Sequence, residues 1–148
     1  MSAPFTGLTA YAAGTGGRVA YTDMGGTLWY DRSVGAATTL RSLQSPSAST
    51  VYAAGEDGKV YRSFLSGQGG TWQAMTPPAA PGGIAFTGPG YGWCVNGGIF
   101  YTEDSASTWT RSPEHTRWTL RSVWMNGSGT GYAAGDNGTI LRTLTGGR

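Results

Sequence analysis

Catalysis by side chains needs acids, histidines, thiols or amines gathered at one place, and this chain has few of any. Its 148 residues include eight acids (Asp23, Asp31, Glu56, Asp57, Glu103, Asp104, Glu114 and Asp136), one histidine, one cysteine and a single lysine, Lys59. Glu56, Asp57 and Asp136 adjoin glycines in turn-like stretches, where short acids bond local backbone. No acid lies in an apolar run that would raise its pKa for proton transfer. His115, in Ser112-Pro113-Glu114-His115-Thr116, has no second His or Cys at ligand spacing, so no metal site is expected. Cys94 sits in an apolar strand-like segment, which predicts a buried, unreactive thiol, and a lone cysteine excludes an intramolecular disulfide. No glycine-rich phosphate loop precedes a helical pattern. The expectation is a non-enzymatic protein with no cofactor.

Binding chemistry is better represented. Arg41 and Arg121 occupy the same place in two copies of Thr-Leu-Arg-Ser, and Arg62 and Arg142 the same place in two later segments. Repetition sets such side chains in an arc, either to bind a partner or to bond neighbouring strands. Trp118 and Trp124 fall outside the repeated positions. Trp118, beside Arg117, suits stacking on a sugar or anchoring a protein. A net charge of +2 is too small to argue for nucleic acid. No basic stretch followed by an apolar run opens the chain, and no apolar run approaches the ~18 residues of a membrane helix. Neither a nucleic-acid nor a membrane partner is expected, and synthesis in the cytoplasm, with incorporation into a particle, fits.

What positions these residues is a repeat. Tyr11, Tyr52, Trp93 and Tyr132 are spaced by 41, 41 and 39 residues, three of them opening Tyr-Ala-Ala-Gly. A glycine-containing turn follows each, then a β-rich strand such as Lys59–Ser63, then a turn leading to Trp29, Trp72 or Trp109, whose recurrence with the repeat predicts packing between blades. With the Leu-Arg-Ser segment, each copy supplies four short strands, the pattern of a propeller blade. The expected fold is all-β: about four four-stranded blades in one domain, roughly 1–32, 33–75, 76–112 and 113–148, with incomplete terminal blades. About fifteen strands of sixteen are expected, Phe5 being a remnant of the first.

The segment Thr102-Glu103-Asp104-Ser105-Ala106-Ser107-Thr108-Trp109 resembles the Asp-box, S/T-x-D-x-G-x-T-W, of bacterial neuraminidase repeats, with Ala106 in the usual glycine place. Thr22–Trp29 keeps Thr, Gly and Trp but has Met24 for the Asp, and Ser63–Trp72 is two residues longer. The joint pattern LRSV…GYAAGDNGTILRT…GG is similar to the photosystem II assembly-factor-like propellers. The resemblance implies a structural role for Thr102, Asp104, Thr108 and Trp109, with Asp104 bonding backbone N–H groups. It implies a partner-binding arginine surface at Arg41, Arg62, Arg121 and Arg142, interrupted in the third copy by Gly82 and Tyr101. Sialidases in this group spread an arginine triad and a Tyr/Glu pair over six blades, and four copies are too few to hold that set.

Three closures follow: a strained four-blade ring, a half-ring completed by a second copy, or head-to-tail pairing of open ends. The expected function is an interaction or structural module that self-associates or docks into a larger assembly, such as a virion. The alternatives are a lectin-like glycan binder and a fragment of a larger sialidase-like or assembly-factor-like propeller.

Overall fold

A computed structural model describes residues 8–113, 116–127 and 129–148. The readings at Phe5, Glu114 and His115 lie outside them. Fourteen strands form four antiparallel sheets in chain order, each a meander. The first holds β1 (Ala10–Ala13), β2 (Val19–Thr22) and β3 (Tyr30–Asp31). The second holds β4 (Leu40–Gln44), β5 (Val51–Gly55), β6 (Val60–Ser63) and β7 (Gln73–Met75). The third holds β8 (Gly83–Phe86), β9 (Gly92–Asn96), β10 (Gly98–Thr102) and β11 (Thr110–Arg111). The fourth holds β12 (Leu120–Asn126), β13 (Thr130–Gly135) and β14 (Ile140–Thr143). These are four propeller-type blades. The described strands number fourteen; the remaining strand expected at Phe5 lies outside the described residues.

A hydroxyl at the end of β2, β6, β10 and β14 builds the following turn. Thr22, Ser63, Thr102 and Thr143 each accept from the backbone N–H groups two and four residues on, at 2.8–3.3 Å. The turn then needs two successive left-handed residues: Gly25-Gly26, Ser66-Gly67, Ser105-Ala106 and Gly146-Gly147 all have positive φ. Glycine removes the steric cost there, and Ala106 accepts it.

Alternation gives every blade two faces. One face of the second blade, with Leu43, Val51, Ala53 and Tyr61, packs on Tyr11 and Val19 of the first. Its other face, with Tyr52, Ala54 and Val60, packs on Ile84, Phe86 and Cys94 of the third. Val95 of the third blade meets Leu120 and Ala133 of the fourth. The inner strands β4, β8 and β12 touch in sequence, and none of the principal contacts joins the first sheet to the fourth. The described blades thus form an open row.

Candidate functional site

The four repeated arginines go to three different places. Arg41 and Arg121 are the extra residues of β-bulges in β4 and β12, where the register slips between Leu40 and Ser42 and between Leu120 and Ser122. A bulge re-aims its side chain, here toward an acid in the adjacent turn. Arg41 pairs with Glu56, and Arg121 pairs with Asp136 through Nε at 2.5 Å. The first strand of the third blade has neither the bulge nor the arginine. A side chain at Gly82 would press on the carbonyls of Leu120 and Val95, so Gly82, Pro81 and Asn96 line a cleft of about 570 Å³ between the two ion pairs. Arg62 reaches across to the third blade, donating to Ser107 Oγ at 2.9 Å and to the Ser105 carbonyl. Arg142, its counterpart, lies on an exposed face opposite Tyr132.

The Thr102–Trp109 turn has the geometry of a local clasp. Asp104 accepts from Thr108 N at 2.8 Å, Thr108 Oγ1 at 2.6 Å and Thr102 Oγ1 at 2.9 Å. The Thr108 hydroxyl and backbone N–H hold its carboxyl below the usual carboxylate range. A carboxylate saturated in this way stays charged and is a poor proton donor at neutral pH. Trp109 packs edge-on against Phe86 between the second and third blades. Cys94 is buried, and desolvation pushes its thiol up to about 12. Among the described residues no cluster of His, Cys, Asp and Glu could hold a metal ion, and no helix is long and apolar enough to cross a membrane.

Trp118 precedes β12 with the Arg117 guanidinium 4.9 Å from its ring centroid. One face of the indole is thereby covered. Trp124, on β12, lies beside Tyr132 with ring centroids 6.4 Å apart, and it is 57% exposed.

That pair belongs to the largest departure from repeat symmetry. Tyr11, Tyr52 and Trp93 are all at most 1% exposed, whereas their counterpart Tyr132 is 44% exposed. Val19 and Val60 are buried, whereas Ile140 is 71% exposed. Trp124, Tyr132, Ile140 and Arg142 thus share a face of the fourth blade that each earlier blade covers with its successor. At the other end, Trp72 and Trp109 pack into the preceding blade, but Trp29 is 43% exposed, with no described blade before it. Trp29 was expected to pack between blades; it does not, because no described blade precedes it. Beside it lie Ala12 and Ala20, where the second blade has Ala53 and Tyr61. Residue types alone do not reveal these faces, since Tyr132 and Tyr52 open the same tetrapeptide.

No family model and no curated protein matches the chain by sequence. Solved structures do. YCF48 bound to a D1 peptide is similar with a TM-score of 0.72 at 19% identity, over 93% of this chain and 46% of that one. The computationally designed Ika4 protein has a TM-score of 0.70 at 14% identity, over 98% of this chain and 90% of that one. An ancestral GH74 enzyme has a TM-score of 0.66 at 12% identity, over 96% of this chain and 25% of that one. This chain spans about half the length of the YCF48 chain. The similarity establishes the β-propeller fold.

Proposed function

We propose that this chain is a non-catalytic propeller module whose work is assembly, through the two open blade faces. The observation that carries the reading is the contrast between Tyr132 and Ile140, exposed, and Tyr52 and Val60, buried at the same repeat positions. Exposed apolar clusters of this kind mark interaction surfaces. The two faces also complement each other in bulk. The fourth blade presents Trp124 where the second has Gln44, and the first presents Ala20 where the second has Tyr61. Trp124 on one end thus has the small Ala12 and Ala20 to meet on the other, with Trp29 beside them in the place that Trp72 and Trp109 take between blades, which favours a head-to-tail contact between copies over a face meeting itself. The similar fold of a protein solved with a bound peptide supports a role in protein binding.

Mixing experiments test the polarity. An Ile140→Arg variant keeps only the first-blade face, and an Ala20→Arg variant keeps only the fourth-blade face. Each alone should be monomeric by light scattering, and their mixture should give a 1:1 dimer. Two monomers that stay apart on mixing would contradict head-to-tail assembly.

A further inference from the structure

The cleft over Gly82 is an interior feature of the row. Its lining residues all fall between Arg41 and Arg121, in the second and third blades and at the start of the fourth. It exists because one repeat position is filled unequally. The bulge arginine is present as Arg41 and as Arg121, and Gly82 takes its place between them. The space that a third arginine would occupy is open, with a polar arm on either side.

The two arms are built alike. In each, the acid of the adjacent turn is fixed by its own backbone: the Glu56 N–H donates to the Thr39 carbonyl and the Asp136 N–H to the Thr119 carbonyl, both at 2.9 Å. The acid then holds the arginine, Glu56 on Arg41 and Asp136 on Arg121. Arg121 is gripped twice, through Nε to Oδ1 at 2.5 Å and Nη2 to Oδ2 at 3.1 Å. A guanidinium has five N–H donors, so three remain, and the carboxylate oxygens keep lone pairs to spare. Asn96 adds a third oriented group. Its Nδ2 donates to the Ala80 carbonyl at 2.6 Å and its Oδ1 accepts from the Gly97 N–H at 3.1 Å, which leaves one amide hydrogen.

Charge and lining select the ligand. The four charges of the arms cancel, so an anion approaching either arginine meets the carboxylate that already holds it, and a cation meets the reverse. An apolar molecule would cover these donors and acceptors without pairing them. A hydroxyl donates and accepts at one oxygen, so it can bond the arginine and the acid of one pair and leave their charge balance intact. Polar arms on both sides of the cleft call for hydroxyls at both ends of the ligand, and about 570 Å³ is an ordinary size for a small-molecule site. We propose that the cleft binds a short neutral oligosaccharide, its hydroxyls bridging the Arg41–Glu56 and Arg121–Asp136 pairs and meeting the Asn96 amide. The site does not use the open blade faces, so it is independent of assembly.

The probes are cellotriose, maltotriose, mannotriose and chitotriose, with citrate and spermidine as charged comparators. The host is the full chain, read by titration calorimetry and ligand-observed NMR. At least one trisaccharide should bind 1:1 with a Kd between about 10 μM and about 1 mM. Raising salt from about 0.05 to about 0.5 M should change that Kd less than about twofold, since no net charge is neutralised. Asn96→Leu, and separately the double change Arg41→Met with Glu56→Met, should each weaken binding at least about tenfold. Both side chains of that ion pair are exposed, so the fold should be kept. Arg121→Met with Asp136→Met replaces the double change if its melting temperature falls. Arg111→Gln, on β11, should leave the Kd unchanged. No binding of any trisaccharide at about 10 mM, tighter binding of citrate or spermidine than of any sugar, or binding that survives either cleft variant would each overturn the proposal.

Discussion

Tyr52 and Tyr132 begin the same four residues, Tyr-Ala-Ala-Gly, on equivalent strands, yet one is sealed and the other half in water. Tyr52 stacks flat on Phe86 at 3.6 Å between ring centroids, with Ala106 and Trp109 closing around it. Tyr132 has Trp124 beside it and Arg142 opposite, with no following blade among the described residues. The side chain and its strand are the same in both places; the presence of a following blade makes the difference. Burial in this molecule is therefore a property of position in the row. A repeat that stabilises itself by stacking leaves its last surface adhesive.

Substitutions at the two sites break the comparison most sharply. Tyr52→Ala should destabilise by about 3–5 kcal/mol, the cost of emptying a packed aromatic site. Tyr132→Ala, in the Ile140→Arg background, should change stability by less than about 0.5 kcal/mol. Denaturant unfolding of both variants checks this, and equal losses would mean that the fourth blade is not open.

A finer contrast lies in the turn hydroxyls. Thr102 is 3% exposed and accepts from the N–H groups of Asp104 and Ala106. Thr102→Val should cost about 1–3 kcal/mol by leaving those donors unpaired away from water. Thr143→Val removes the same two bonds at a half-buried site that water can reach, so its loss should be the smaller one in the same unfolding experiment.

The smallest expected effect is alkaline. Tyr61, in the interface between the first and second blades, is raised to about 12 by burial, by its hydrogen bond to Asp57 and by that carboxylate's charge. Lys59, 3.9 Å from Asp57, does not reverse the shift. A phenol with a raised folded pKa holds its proton longer when folded. Its contribution is complete below the unfolded value of about 10 and is lost as pH rises from there to about 12. Tyr61→Phe should flatten the fall in melting temperature over that window. An unchanged pH profile would show that Tyr61 is not the group responsible.

Much of the architecture was legible because the repeat is local. Strand–turn–strand units are written in Tyr-Ala-Ala-Gly, Asp-Asn-Gly and the Thr or Ser that ends β2, β6, β10 and β14, and these form by nearest-neighbour physics. The clasp role of Asp104 was equally readable, since its partners lie within four residues. What the residues did not announce depends on long-range position. Arg41 and Arg121 read as an arc, but a bulge turns each onto its own acid. Arg62 and Arg142 read alike, but only Arg62 has a next blade to reach. Trp29 read as interior because Trp72 and Trp109 are.

The central claim is that the open blade faces drive assembly, and the absolute mass of the unmodified chain in solution tests it most directly. Light scattering after size exclusion, across a range of concentrations, should give a multiple of 15.4 kDa that falls to one chain with Ile140→Arg. A single chain's mass at every concentration, with the fold intact, would contradict it.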